Sequence, residues 1–376
     1  MAGSKHINKI CLIILAVMVV ITILFMNGEA LGITVIKSDG KADQDRIFSN
    51  RDLDASWDEE TATSIDLENI EGLALSNAYE LDGDLYIVSK GTYVLSGTMA
   101  EGKRIIVSAK GCKVQLVLNG VTLTEEDRAA IYVKKADKVF LTLADGTENT
   151  FTVSGSLSEE ETEKNISAVI YSKADLSING SGTLNITSYD CNGIKTKDDL
   201  VIASGTINIQ AGWNGLVGHD SLRIAGGVIN VTAGNDALKS DDQAEDKRKG
   251  YIVIMDGTFV LNAEDETIQA ETDLIIYGGT YQLNEEIKAQ TIVLVGSETE
   301  TAVSDIDSTL CFARVTFAEA FSDGDTLSVT DGSGEELYSS TLHGSGQELT
   351  IYSQLFGYKQ NVTVTAGSQT ADAVTQ

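Results

Sequence analysis

The residues best suited to chemistry in this 376-residue chain are oxygen-bearing side chains that recur at a near-constant interval. Asn192, Asn214, Asp236 and Glu266 each stand two positions before an apolar residue, namely Ile194, Leu216, Leu238 and Ile268. Asp198, Asp220 and Asp242 stand four positions after the first three of those apolar residues, and Thr272 four after the last. Lys197, His219, Asp241 and Glu271 immediately precede them, while Asp190 flanks the first Asx and Asp265 the last. If successive copies stack at the ordinary inter-strand spacing of ~4.8 Å, neighbouring carboxylates repel by about 1 kcal/mol per pair in water, and by more when partly dehydrated. Protonation relieves this, as does bridging by Lys195, Lys197 or Lys239, or a hard divalent cation. Calcium takes roughly six to eight oxygen ligands from carboxylates, amides and carbonyls, in irregular geometry. The expected cofactor is therefore Ca2+ between adjacent coils, with ligands drawn from Asp190, Asn192, Asp198, Asn214, Asp220, Asp236, Asp241, Asp242, Asp265 and Glu266. The competing reading is an Asn/Asp ladder that only stabilises turns, and it is preferred for Asn192 and Asn214. For Asp198, Asp220, Asp236 and Asp242 the alternative is a solvated surface, because the fixed ligand order of an EF-hand loop is missing.

These columns require a repeating scaffold. The reference apolar residues are separated by 22, 22 and 30 residues, and Ile170 lies 24 before Ile194. The longest step carries the charged insertion Asp241 to Lys249. A second apolar segment follows each copy, as in Leu200-Val201-Ile202 and Leu222-Arg223-Ile224, then a glycine turn, then a third segment such as Ile207-Asn208-Ile209 or Ile229-Asn230-Val231. Apolar residues alternate with others, which is the period of a strand and not of a helix. Three short strands per coil with no crossover helix predict an all-β fold, a parallel β-helix (solenoid) over residues 64–296. A stack of antiparallel hairpins is the alternative. Leu85 to Leu118 and Ile131 to Val153 read as the first coils, and the acidic run Glu159 to Glu163 as an exposed insertion. Residues 297–376 read as a small carboxy-terminal β module or cap.

Acidic residues number 56 against 27 basic ones, for a formal charge of −29. That field repels duplex nucleic acid and anionic membrane surfaces, so neither is an expected partner. Four cysteines without C-x-x-C spacing exclude a disulfide scaffold and a thiolate zinc site, and three scattered histidines argue against a multi-His centre. The absence of proline suits a chain of ladder-forming strands. Lys5, His6 and Lys9 precede an apolar run from Ile10 to Met26. Residues 1–33 therefore read as a signal anchor or signal peptide, with the anchor helix preferred, and 34–63 as a polar tether. The remainder is expected outside the cell, as a monomer that touches membrane only through this segment.

Several stretches resemble a known family. They are Gly91-Thr92-Tyr93-Val94-Leu95-Ser96-Gly97, Leu116-Val117-Leu118-Asn119-Gly120-Val121, Ala129-Ala130-Ile131-Tyr132-Val133, Ala144-Asp145-Gly146-Thr147-Glu148-Asn149-Thr150 and Lys197-Asp198-Asp199-Leu200. They look like motifs of the exported carbohydrate-binding domain proteins of Gram-positive bacteria. The resemblance implies a right-handed parallel β-helix like that of pectate lyases, bound calcium, and affinity for plant-type polysaccharide, including acidic pectic chains, without established lyase activity. Family coils carry Asp-Gly at the loop, and Asn192 and Asn214 depart from that pattern.

The expected function is that of an extracellular, surface-associated, calcium-dependent and non-catalytic binder of acidic pectic chains or cellulose. Calcium lets a strongly acidic protein hold a uronate chain by sharing ligands with sugar carboxylates. Trp213 and Tyr189, both in loops, are the candidate stacking residues, with Tyr277 and Tyr281 on strands, where ordinary packing competes. Arg223 is the third candidate for sugar contact. It faces outward between Leu222 and Ile224, near Asp220, and is the best base for the runner-up function, a calcium-dependent polysaccharide lyase. A surface ion pair is its competing reading, and a structural or adhesion protein is the remaining alternative.

Overall fold

The computed structural model describes residues 47–376 apart from 244–248 and 304–305. The expected anchor, residues 1–33, lies outside the described residues, as does the tether before Ile47. No helix among the described residues is long and apolar enough to cross a membrane.

The described chain is all-β and mostly parallel, in a β-helix-like arrangement. The strand Thr206–Ala211 shows how sequence sets one coil wall: Ile207, Ile209 and Ala211 turn inward and are buried, while Thr206, Asn208 and Gln210 face out. Each coil repeats the pattern, so apolar residues stack in columns. Ile170, Ile194, Leu216, Leu238, Ile268 and Ile287 pair in register and are wholly buried. Each such burial contributes about 1.5–3 kcal/mol. First strands of the coils form a ten-stranded sheet, and second and third strands join in an 18-stranded one. The bend from second to third strand needs glycine. Gly180 has φ +100°, and a Cβ there would meet the Leu143 carbonyl oxygen at 2.1 Å.

The outer side of the second strands is covered from both ends. Val253, Ile275 and Val293 pack against Val315, Phe317 and Ile351 of the carboxy-terminal region. There Cys311–Phe321 and Gly346–Ser353 continue the 18-stranded sheet in antiparallel sense, and a separate four-stranded sheet follows. Nearer the start, the segment from Ile47 lies on the coils and does not hang free as a tether. Lys138 Nζ is 2.6 Å from Asp52, Asn179 Nδ2 donates to the Asp52 carbonyl at 3.0 Å, and Arg51 Nη2 donates to Gln115 at 2.7 Å. Its polar composition serves these contacts.

The acidic run at 159–163 differs from expectation. It forms the short helix Glu159–Glu163, whose Glu161 is 1% exposed. Arg104 Nη1 reaches both Glu161 oxygens at 2.9 and 3.0 Å, and the Ala129 N–H donates at 3.2 Å. Arg128 joins Asp84 and Glu125 beside this pair.

Burial pushes the Glu125 carboxyl up to about 7, against the pull of Arg128. The folded state therefore binds this proton more tightly than the unfolded chain. The contribution to stability is complete below the ordinary value of 4.5 and is lost as pH rises to about 7. The amount is on the order of 3 kcal/mol. Melting of the native protein and Glu125→Gln between pH 4.5 and 7 should show a shallower decline in the variant; parallel profiles would refute this assignment.

Candidate functional site

Third strands remain uncovered on their outward side, and two of the columns there are uncharged. One runs through Thr150, Asn185, Asn208, Asn230, Val260 and Gln282; the next through Thr152, Thr187, Gln210, Thr232 and Asn262. The amides link coil to coil, since Asn208 Nδ2 donates to Asn185 Oδ1 and Asn230 Nδ2 to Asn208 Oδ1, each at 2.8 Å. Where these strands end, a shallow groove of about 770 Å³ crosses the coils from Thr152 to Asn284. Small residues make its floor. A Cβ on Gly212 would stand 1.9 Å from the Tyr189 carbonyl oxygen, so that close approach admits only glycine. Glu264 is the one charged residue among the described residues that line the groove. Tyr189 lines it at 68% exposure, and Trp213, next to Gly212 in the chain, is 50% exposed. Such a surface offers hydrogen-bond donors and acceptors at the coil spacing of ~4.8 Å, flanked by flat aromatic faces.

The turn beyond the groove carries the first Asx column. Asn214 Nδ2 donates to Asn192 Oδ1 at 2.9 Å, and the Asp236 N–H to Asn214 Oδ1 at 3.0 Å. Both asparagine oxygens thus accept within a coil-to-coil ladder. Further along, Asp236, Asp265 and Glu266 bring carboxylate oxygens within 4.8 Å of one another. Asp236 is wholly buried, and burial raises its pKa, with Glu266 beside it adding to the rise against the pull of Lys239. Lys239 Nζ lies 2.6 Å from Asp236, and Lys288 Nζ 2.8 Å from Glu266. Gln269 stands in register with Lys239 and Lys288, and its Oε1 is buried with no hydrogen-bond partner among the described residues.

The second column is also stacked. The Asp220 N–H donates to the Asp198 carbonyl at 3.2 Å, and Asp242 N–H to the His219 carbonyl at 3.0 Å. His219, Asp220 and Asp242 form another close group. Its countercharge is Lys249, whose Nζ is 2.9 Å from Asp220 and 3.3 Å from Asp242. This lysine closes the charged insertion, so chain connectivity delivers a cation that the 22-residue period does not announce. Burial and the Asp220 charge raise the Asp198 pKa. Asp241 pairs instead with His219 Nδ1 at 2.6 Å and Lys195 at 3.3 Å; despite burial, these hold its carboxyl below the ordinary value. Asp190 is exposed and belongs to neither group.

Arg223 points outward as expected, but from the covered second-strand side. Its partner is Asp199 at 2.6 Å, not Asp220, and Nη1 donates to the Ile47 carbonyl at 2.8 Å. The side chain is 12% exposed. Tyr281 stacks on Phe259 at 4.8 Å, and Tyr277, just past the strand Asp273–Ile276 and not on it as expected, packs under the carboxy-terminal region, so both tyrosines serve packing.

Comparison with known proteins bears on this surface. A polysaccharide lyase-like protein from C. thermocellum, solved as a gadolinium derivative, is 30% identical and superposes with a TM-score of 0.57, over 66% of this chain and 97% of that one. A carbohydrate-binding domain-containing protein of Acetivibrio thermocellus is 40% identical over 207 residues, which is 55% of this chain and 70% of the relative. The family model described as carbohydrate-binding domain-containing protein matches residues 82–355. That span holds the whole groove and both carboxylate groups, and the chain belongs to this family of carbohydrate-binding domain-containing proteins.

Proposed function

We propose that the chain is an exported, non-catalytic protein that binds an extended plant-type polysaccharide, cellulosic or pectic, along the third-strand groove. The observation that carries this is an amide and hydroxyl surface, with Glu264 its single charged residue among the described ones, on a chain of net charge −29. Coil-spaced donors and acceptors suit the repeating hydroxyls of a linear glycan, and Tyr189 and Trp213 offer faces for sugar rings. A right-handed winding is the hand that the crossover rule supports. Export rests on reading the Ile10 to Met26 run as an anchor.

Calcium belongs to this reading at Asp236, Asp265 and Glu266. Three carboxylates, one of them that of the wholly buried Asp236, form a hard-oxygen donor set. When bound there, calcium would neutralise the carboxylates and leave ligand positions for a uronate. The His219, Asp220 and Asp242 group fits less well, because it offers an imidazole nitrogen and two carboxylates where calcium prefers oxygen. The engagement of Arg223 by Asp199 removes the main support for the lyase alternative.

Binding to insoluble cellulose and migration in pectate gels test the groove, each with calcium and with chelator. Gln210→Glu combined with Thr232→Glu places charge on two exposed strand positions without touching the core. Affinity should fall at least about tenfold, roughly 1.4 kcal/mol. Undiminished binding by the folded double variant would remove the groove from the mechanism.

A further inference from the structure

A second pocket, of about 440 Å³, opens on the first-strand side and shares no residue with the groove. The insertion supplies one wall through Thr162, Asn165 and Ile166; Tyr171, Lys195 and Lys197 supply another. Lys195 and His219 each take one oxygen of Asp241, which leaves that carboxylate matched. Lys197 is exposed at the rim. Among the residues that line the pocket, two ammonium groups face one carboxylate. Tyr171 is wholly buried, yet its hydroxyl has no hydrogen-bond partner among the described residues. A buried donor left without an acceptor is destabilising unless something fills the need.

We propose that this pocket binds an anionic group carried on a sugar, a carboxylate or a phosphate ester, through the Tyr171 hydroxyl and the Lys195 and Lys197 ammonium groups. Burial pushes the Tyr171 hydroxyl up to about 12, so it remains a donor at neutral pH. An anion accepting from Tyr171 and two ammonium groups makes charge-assisted bonds, which are the stronger kind. The neutral part of the sugar lies against Thr162 and Asn165, both exposed on the wall of the pocket. The sugar portion rests on the carbohydrate-binding reading; the anion portion rests on the pocket.

Titration calorimetry of the full chain with galacturonate, glucose 6-phosphate and glucose tests this. At least one of the two anions should bind about tenfold or more tighter than glucose, and whichever binds tighter identifies the group. Lys197→Ala and Tyr171→Phe should each weaken that binding about tenfold, with melting temperatures within a few degrees of the native protein. The Gln210→Glu, Thr232→Glu protein should bind the small anion unchanged, which separates this site from the groove. Equal binding of glucose and both anions, or affinity indifferent to Lys197→Ala and Tyr171→Phe, would overturn the proposal.

Discussion

Replacing Arg104 with Ala is expected to destabilise the protein by about 3–5 kcal/mol, the cost of breaking a buried ion pair from one side. Glu161 would keep only the Ala129 N–H, at 3.2 Å, while 1% exposed. The loss includes packing, because the guanidinium lies 5.8 Å from the centre of the Tyr132 ring. A paired change, Arg104→Met with Glu161→Leu, should recover most of it, since two apolar groups leave no charge behind. Coils of a solenoid contact only their neighbours, so the damage should be local. Denaturant unfolding gives the energy, and amide exchange over residues 154–171 locates it. A loss below about 1 kcal/mol would mean that water already reaches Glu161. The same variant should loosen the anion pocket, whose wall is Thr162, Asn165 and Ile166.

What the sequence reveals here follows from the symmetry of the fold. In a solenoid the partner of a residue lies one coil away, so a period in sequence is a contact in space. Ile194, Leu216, Leu238 and Ile268 could be aligned by eye, and they pair in that register. Asp198, Asp220 and Asp242 stack for the same reason. Contacts that break the repeat leave no such trace. Arg104 and Glu161 are 57 residues apart, and Arg223 and Ile47 are 176 apart. Glu161 sits in an acidic run that reads as solvated, and only the packing of the insertion shows it buried. The asparagines at 185, 208 and 230 were legible as outward residues from strand alternation. Which outward face stays open is decided by the Ile47 segment and the carboxy-terminal sheet, both outside the repeat.

Calcium should raise the stability of the chelator-treated protein by about 2.7 kcal/mol when present at roughly a hundred times its dissociation constant, because only the folded chain assembles the ligands. For a domain of this size that is roughly a 5 °C rise in melting temperature. The physical source is the Asp236, Asp265 and Glu266 group, whose carboxylates lie within 4.8 Å of one another around a wholly buried Asp236. Without a metal, their repulsion is met by Lys239 and Lys288. Asp236→Asn keeps the shape and removes one charge, so it should abolish the calcium-induced rise. Asp220→Asn should leave the rise intact, because Asp220 lies outside that group. Scanning calorimetry of the three proteins, before and after calcium, makes the comparison. A rise that persists in Asp236→Asn, or no rise in the native protein, would rule out this site. The consequence for recognition is asymmetric. Pectate binding should depend on calcium, since like charges must be bridged, whereas cellulose binding through the amide columns should survive the chelator.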